Sequence, residues 1–108
     1  MDSLYTMGHR DIALVLGPAD SPLTRDRLLG AQRAAAIRGL TGHLMLERGD
    51  FSIESGRRAA QALFAREPRP SAIFCFSDEM AIGTLAAARN AQIACPAELS
   101  VVGFDDID

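Results

Sequence analysis

Two adjacent acids, Asp105 and Asp106, follow the stretch Leu99-Ser100-Val101-Val102-Gly103-Phe104. That stretch reads as a buried strand running into a glycine. In an open α/β sheet, ligands bind beyond the carboxyl ends of the strands. A carboxylate there can take the hydroxyls or amines of a small molecule. Paired acids also suit acid-base work or cation binding. Neither gains support, because no third acid stands at ligand spacing, and His9 and His43 fall near strand starts. The bland alternative is Asx-turn chemistry that ends the strand. Asp105 is expected to meet a ligand and Asp106 to be structural.

Three further positions can do chemistry at the same kind of edge. Arg27 lies one turn into a helix pattern, on its polar side. A guanidinium there can make paired bonds to a carboxylate, a phosphate or vicinal hydroxyls, or it is a solvated helix residue. Phe51 follows a Gly-Asp turn just before a helix. Its ring either stacks on a flat ligand or staples the helix start. Ser77-Asp78-Glu79 opens another helix. There capping and dipole compensation explain the acids, while Ser77 can both cap and reach a ligand. The sequence contains no G-x-G-x-x-G, P-loop or G-x-S-x-G pattern and no metal-spaced Cys/His set. Nothing in the sequence sets a nucleophile with a base beside it. No catalytic residue, metal or cofactor is expected.

The elements that must position these residues alternate along the chain. Asp11 to Leu16, with Ile12-Ala13-Leu14-Val15-Leu16 in it, is a short apolar run, as a strand covered on both faces should be. Gly17-Pro18 ends it. Thr24 is expected to cap a helix reaching about Arg38, with Asp26 in its first turn, Leu28, Ala31 and Ala35 on one face, and Gly39 closing it. A second strand fits His43 to Leu46. Ser52 caps a helix with Ile53, Gly56, Ala60, Leu63 and Phe64 on one stripe, ended by Pro68-x-Pro70. Ala72 to Phe76 is a third strand. Ser77 caps a helix with Ile82, Leu85 and Ala86 facing the core. Leu99 to Phe104 is the fourth strand. The order β-α-β-α-β-α-β predicts an α/β fold: a parallel sheet of about four strands with helices on both faces. The strand-end loops then converge on one crevice.

Bulk properties agree with one domain or part of one. The chain has 108 residues and is 48% apolar. All eleven basic residues are Arg, and the formal net charge is −3. No basic run exists, so direct nucleic-acid binding by this segment is not expected. Cys75 and Cys95 lie outside any CxxC pattern and read as thiols of a reducing compartment. No apolar run approaches the roughly 20 residues of a membrane span. No signal peptide is recognisable, and the expected location is the cytoplasm.

The strings Gly8-His9-Arg10-Asp11-Ile12-Ala13 with Gly17-Pro18, Arg25-Asp26-Arg27-Leu28-Leu29-Gly30, Gly49-Asp50-Phe51-Ser52 with Ser55-Gly56, Pro70 to Gly83, and Pro96 to Asp106 resemble, in this order, LacI/GalR-type bacterial transcription regulators. The resemblance covers essentially the whole chain. It implies one lobe of a periplasmic-binding-protein-like (flavodoxin-like) fold, the C-terminal part of the effector-binding domain. The first lobe and the DNA-binding helix-turn-helix would lie outside this chain. It also implies that the chain senses a sugar or a nucleoside or nucleobase. Ligand-binding roles fall by resemblance on Arg27, Phe51, Ser77 and Asp105, with Ser21 and Leu23 in the variable pocket wall. Leu23 stands where relatives use a hydroxyl. Gln92 replaces a usual glycine after a helix, so that turn is expected to differ. Relatives pair partly through the helix starting at Asp78, which points to Met80, Ala81, Leu85 and Ala88 for a homodimer, or else to plain core. A half-built site predicts weak effector affinity for this chain alone. A transport-type sugar-binding protein shares the fold and is the first alternative; an enzyme of flavodoxin-like fold is the second.

Overall fold

The computed structural model describes residues 2–103. Strand β1 (Ile12–Leu16) is buried at every position, and so is β3 (Ala72–Cys75). They lie side by side in the centre of a parallel sheet. Strand β2 (Met45–Arg48) flanks β1, and β4 (Ser100–Val102) flanks β3, giving the order β2-β1-β3-β4. On β2 half-buried and exposed residues alternate. Glu47 and Arg48 can sit there because an edge position leaves their charges in water.

Among the described residues, four α-helices accompany the sheet: α1 (Asp2–Thr6), α2 (Pro22–Ile37), α3 (Ile53–Phe64) and α4 (Asp78–Asn90). From β1 the chain steps one way to β2; it then returns past β1 to β3 and continues to β4. Right-handed crossovers therefore put α2 on one face and α3 with α4 on the other. The expected α/β sheet with two covered faces is the observed one. The core joins Leu14, Val15, Ile73, Phe74, Phe76, Leu63 and Met80. Phe74 and Phe76 meet edge to face at 5.7 Å.

Local differences have physical causes. Ser21, not Thr24, caps α2, accepting from Thr24 N at 3.4 Å, and Pro22 opens the helix. Proline is pre-set for that first position. Asp26 consequently lies beyond the first turn. Strand β2 starts two residues later than expected, because Thr41–His43 forms a 3₁₀ turn first. The helix α1 carried no periodic signal over five residues, yet Leu4 and Tyr5 are buried, with the Arg38 guanidinium 5.0 Å from the Tyr5 ring centre. Gly39 takes φ +69 after α2, as a helix stop requires. Gln92 adopts φ +59 after α4 despite its side chain, so this turn keeps the left-handed form that was expected to change.

The inward face of α4 is the main correction. Ile82, Leu85 and Ala86 do not face the core: Ile82 is 54% exposed and Leu85 41%, and Ala86 is half-buried. Met80, Gly83, Thr84, Ala87 and Ala88 point inward instead, an i, i+3, i+4, i+7, i+8 set. A side chain at Gly83 would strike α3 backbone: an ideal Cβ would lie 2.0 Å from Ile53 O. Only the glycine fits where the helices cross, and that fixes the rotation of α4. The same crossing presents the Ile53 carbonyl inward and leaves its side chain exposed, against the expected α3 stripe.

At the amino edge, His9 ties the sheet together. Its Nδ1 lies 2.8 Å from Ser71 Oγ and its Nε2 3.2 Å from Ser100 Oγ. His43 Nδ1 lies 2.9 Å from Asp11 Oδ1 at the same edge.

Candidate functional site

The sheet order sets the site before any side chain is considered. The chain leaves β1 for one face and β3 for the other. Between the carboxyl ends of these neighbours lies the switch point, where α/β sheets open a ligand crevice. Gly17 follows β1 there, and Phe76-Ser77 follows β3.

Arg27 reaches this point from α2. Its Nη1 donates to the Phe76 carbonyl, in a very short contact across the switch. The helix position was legible in sequence; the reach over the sheet end was not. Ser77 caps α4, its Oγ accepting from Met80 N at 3.2 Å. The same hydroxyl stands 3.3 Å from the Phe51 carbonyl and donates to it. The capping half of the Ser77 reading is observed, and the second bond of the hydroxyl goes to main chain. Phe51 sits at φ +73, an uncommon conformation for an aromatic residue. Its ring packs partly buried on the core. The ring tip enters the space left by Gly17, where an added Cβ would be 2.2 Å from Cε1. Thus Arg27, Phe51 and Ser77 are brought together. Leu23 is 56% exposed on the first turn of α2, while Ser21 spends its hydroxyl on the cap. Asp105 and Asp106 lie outside the described residues.

The sequence reading missed several neighbours. Arg48 crosses from the edge strand, Nη1 donating to Gly17 O at 2.8 Å. Asp78 covers Gly103 at the end of β4, where an added Cβ would lie 2.5 Å from Asp78 Oδ1. Thr24 is buried beside Gly17 and Phe51. Arg48 escapes any spacing rule because it acts through a main-chain oxygen past the neighbouring strand, while Asp78 and Thr24 carry only a helix-start signal in the sequence. Beyond β2 a cleft of about 310 Å³ opens, with Arg48, Asp50, Ser55 and Arg58 in its wall. Asp50 accepts from Ser52 N at 2.9 Å. Hydrogen bonds from Ser52, side chain first and then backbone, hold its carboxyl below the usual carboxylate range.

Among the described residues no cluster of three His, Cys, Asp or Glu groups is placed to hold a metal ion. The fold does bring Ser71 to His9, a hydroxyl–imidazole contact. The other ring nitrogen faces the Ser100 hydroxyl, not a carboxylate, and the contact lies at the edge opposite the crevice. It fastens β3 to β4 and lacks the orienting acid of a catalytic triad. The surface expected from the α4 resemblance is also revised. Met80 and Ala88 are core residues at 0% and 1% exposure, Ala81 is half-buried, and Leu85 alone of the four is exposed. Among the described residues no helix is long and apolar enough to cross a membrane.

The HTH-type transcriptional repressor CytR of Escherichia coli K12 is 40% identical over 97% of this chain, which spans 31% of that protein. The chain thus covers about a third of the curated relatives it matches. A LacI-family regulatory protein from Chloroflexus aggregans has a solved structure that matches with a TM-score of 0.87 and 38% identity, covering 97% of this chain and 38% of that one. A sugar-binding transcriptional regulator of the LacI family from Escherichia coli, solved with phosphate, matches at 0.88 and 34% identity over 98% of this chain and 38% of its own. The model of the periplasmic binding protein-like domain matches residues 1–108, and the chain belongs to that family, on the branch of the LacI-type regulators.

Proposed function

We propose that this chain is the C-terminal lobe of the effector-sensing domain of a DNA-binding transcription regulator, and that its effector is a sugar or a nucleoside or nucleobase. The observation that carries this reading is the bridged switch point. Arg27 spans the crevice from α2 to the end of β3, and Ser77 ties the end of β3 to Phe51 beyond β2. A guanidinium fork, a hydroxyl and an aromatic ring suit a flat, hydroxyl-rich molecule. Asp105 adds the acid that takes ligand hydroxyls or amines. Leu23 sets an apolar part of the wall. The lobe is one side of a clamp, and DNA is contacted through another region of the regulator. The protein works in the cytoplasm, without catalysis.

The regulator is a homodimer, and α4 contributes Leu85 with Ile82 in place of the buried Met80 and Ala88. Sedimentation of the full-length regulator at micromolar concentration is the check. Leu85→Arg should lower the mass, and an unchanged mass would remove α4 from the interface.

Calorimetry on the full-length regulator, with ribonucleosides and simple sugars, tests the sensing role. One class should bind and change operator affinity. Arg27→Ala should weaken it by about tenfold or more, since a charged hydrogen bond contributes about 1.5–3 kcal/mol. Binding that ignores Arg27, Phe51 and Ser77 substitutions would move the site elsewhere.

A further inference from the structure

Thr24 is 1% exposed, and among the described residues its Oγ1 has no hydrogen-bond partner. A buried hydroxyl without a partner is unfavourable, and native folds rarely keep one without a reason. Its surroundings supply the reason. The position where Gly17 would carry a Cβ lies 2.5 Å from Thr24 Oγ1 and 2.2 and 2.3 Å from Cε1 and Cζ of Phe51. The missing side chain of Gly17 thus leaves a notch at the carboxyl end of β1. The Thr24 hydroxyl points into it from α2, and the edge of the Phe51 ring fills it from the β2 side.

The filler is itself held under strain. Phe51 has φ +73, and its carbonyl is fastened by the Ser77 hydroxyl at 3.3 Å. Left-handed backbone is unfavourable for a residue with a Cβ. Such outliers persist where the surroundings over-determine them, often at ligand clamps. An orphaned hydroxyl and a strained residue meet at one spot, inside the switch-point crevice.

We infer that the Thr24 hydroxyl is a ligand-contacting group of this crevice, covered here by the edge of the Phe51 ring, and that an effector hydroxyl or amine displaces that edge and bonds Thr24 Oγ1. The inference rests on the effector-sensing role proposed above. It adds a contact on the buried side of α2, next to Leu23, whose side chain is exposed. The chemistry is that of a neutral hydroxyl, which donates and accepts and therefore suits sugar hydroxyls or an exocyclic amine. In the inferred complex the Phe51 ring edge leaves the notch and the ring face meets the effector.

The test uses Thr24→Val, which keeps the shape and removes the hydroxyl, and Thr24→Ser, which keeps the hydroxyl. Both are made in the full-length regulator. The probes are the four ribonucleosides, ribose and glucose, read by calorimetry, with urea unfolding alongside. Thr24→Val should unfold at the same or a higher urea concentration, because it removes an orphaned group. Its affinity for the probe that binds wild type should fall about tenfold, the worth of one neutral hydrogen bond. Thr24→Ser should keep most of the affinity. Affinity within twofold of wild type in Thr24→Val would overturn the inference while leaving the sensing role standing. A clear loss of stability in Thr24→Val would also overturn it, by showing that the hydroxyl has a structural partner. Wild type that binds none of the probes would remove the sensing role itself, and this contact with it.

Discussion

Replacing one glycine by alanine should have opposite effects at two helical sites. At Gly83, in α4, the added Cβ would lie 2.0 Å from Ile53 O, 2.7 Å from Arg57 N and 3.0 Å from Ile53 C. All three are backbone atoms, so no side chain can rotate away. A carbon meets a carbonyl oxygen at about 3.3 Å or more, so α4 must retreat by roughly an ångström. Overpacking typically costs about 1–3 kcal/mol, and backbone on both sides puts this case near about 3. Alanine returns about 1 kcal/mol through helix propensity. The net loss is about 2 kcal/mol. For a domain of this size each kcal/mol moves the melting midpoint by roughly 4–8 °C, which gives a fall of about 8–16 °C.

Gly30, in α2, is the control, because a Cβ there meets nothing within 4 Å. Gly30→Ala should raise stability by about 0.5–1 kcal/mol through propensity alone. Urea and thermal unfolding by circular dichroism read both. Gly56 faces the same crossing from α3, its Cβ position 2.3 Å from Met80 O. Gly56→Ala with Gly83→Ala should lose less than the sum of the single changes, since either one already separates the helices. A neutral or stabilising Gly83→Ala would refute the close α3–α4 crossing, and with it the explanation for the exposed Ile82 and Leu85.

Three further outcomes are expected. Ser77→Ala should cost about 1 kcal/mol by uncapping α4, and it should free the Phe51 carbonyl; urea unfolding at neutral pH checks the first, and unchanged stability would count against the cap. Asp50 has a lowered pKa in the folded chain, so its contribution is present above the ordinary carboxylate range and is lost as pH falls through the lowered value; the gap between Asp50→Asn and wild type in urea midpoint should close towards pH 3, and a constant gap would argue against it. Burial pushes the Cys75 thiol up to about 12, whereas Cys95 is exposed; a thiol reagent at pH 8 should label Cys95 in the folded chain and Cys75 only after unfolding, and equal labelling would contradict the buried β3.

The strand and helix order was legible because each element carries its own period. Continuous apolar runs at Ile12–Leu16 and Ala72–Cys75 can only be doubly covered strands in an alternating chain. Ser52 and Ser77 both announced helix starts, and each accepts from the residue three along. What failed was the rotation of α4. Its sequence is apolar on two sides, so periodicity offered two stripes of similar quality. The choice was made by α3, which tolerates only Gly83 at the crossing. A glycine counts as a weak core signal in a hydrophobic pattern, yet here it is the residue that packs closest. The cap of α2 failed for a related reason: Ser21 and Thr24 are both good caps, and the constraint on Pro22 outweighed the preference for threonine.

The site divides in the same way. Residue types named Arg27, Phe51 and Ser77, since guanidinium, ring and hydroxyl are conspicuous in a strand-end loop. Their partners were not legible, because bonds observed here run to main-chain oxygens of other segments: Arg27 to Phe76 O and Ser77 to Phe51 O. A carbonyl has no letter in the sequence. The same holds for Arg48 on Gly17 O. Each of these bonds closes on an oxygen just past a strand, where the sheet has stopped supplying partners. The switch point therefore recruits side chains first to satisfy its own backbone. Under the proposed sensing role, a ligand entering it competes for donors that are already in use and has to rearrange these contacts. On the same proposal the Thr24 hydroxyl, which has no hydrogen-bond partner among the described residues, is a group that a ligand gains without breaking a bond.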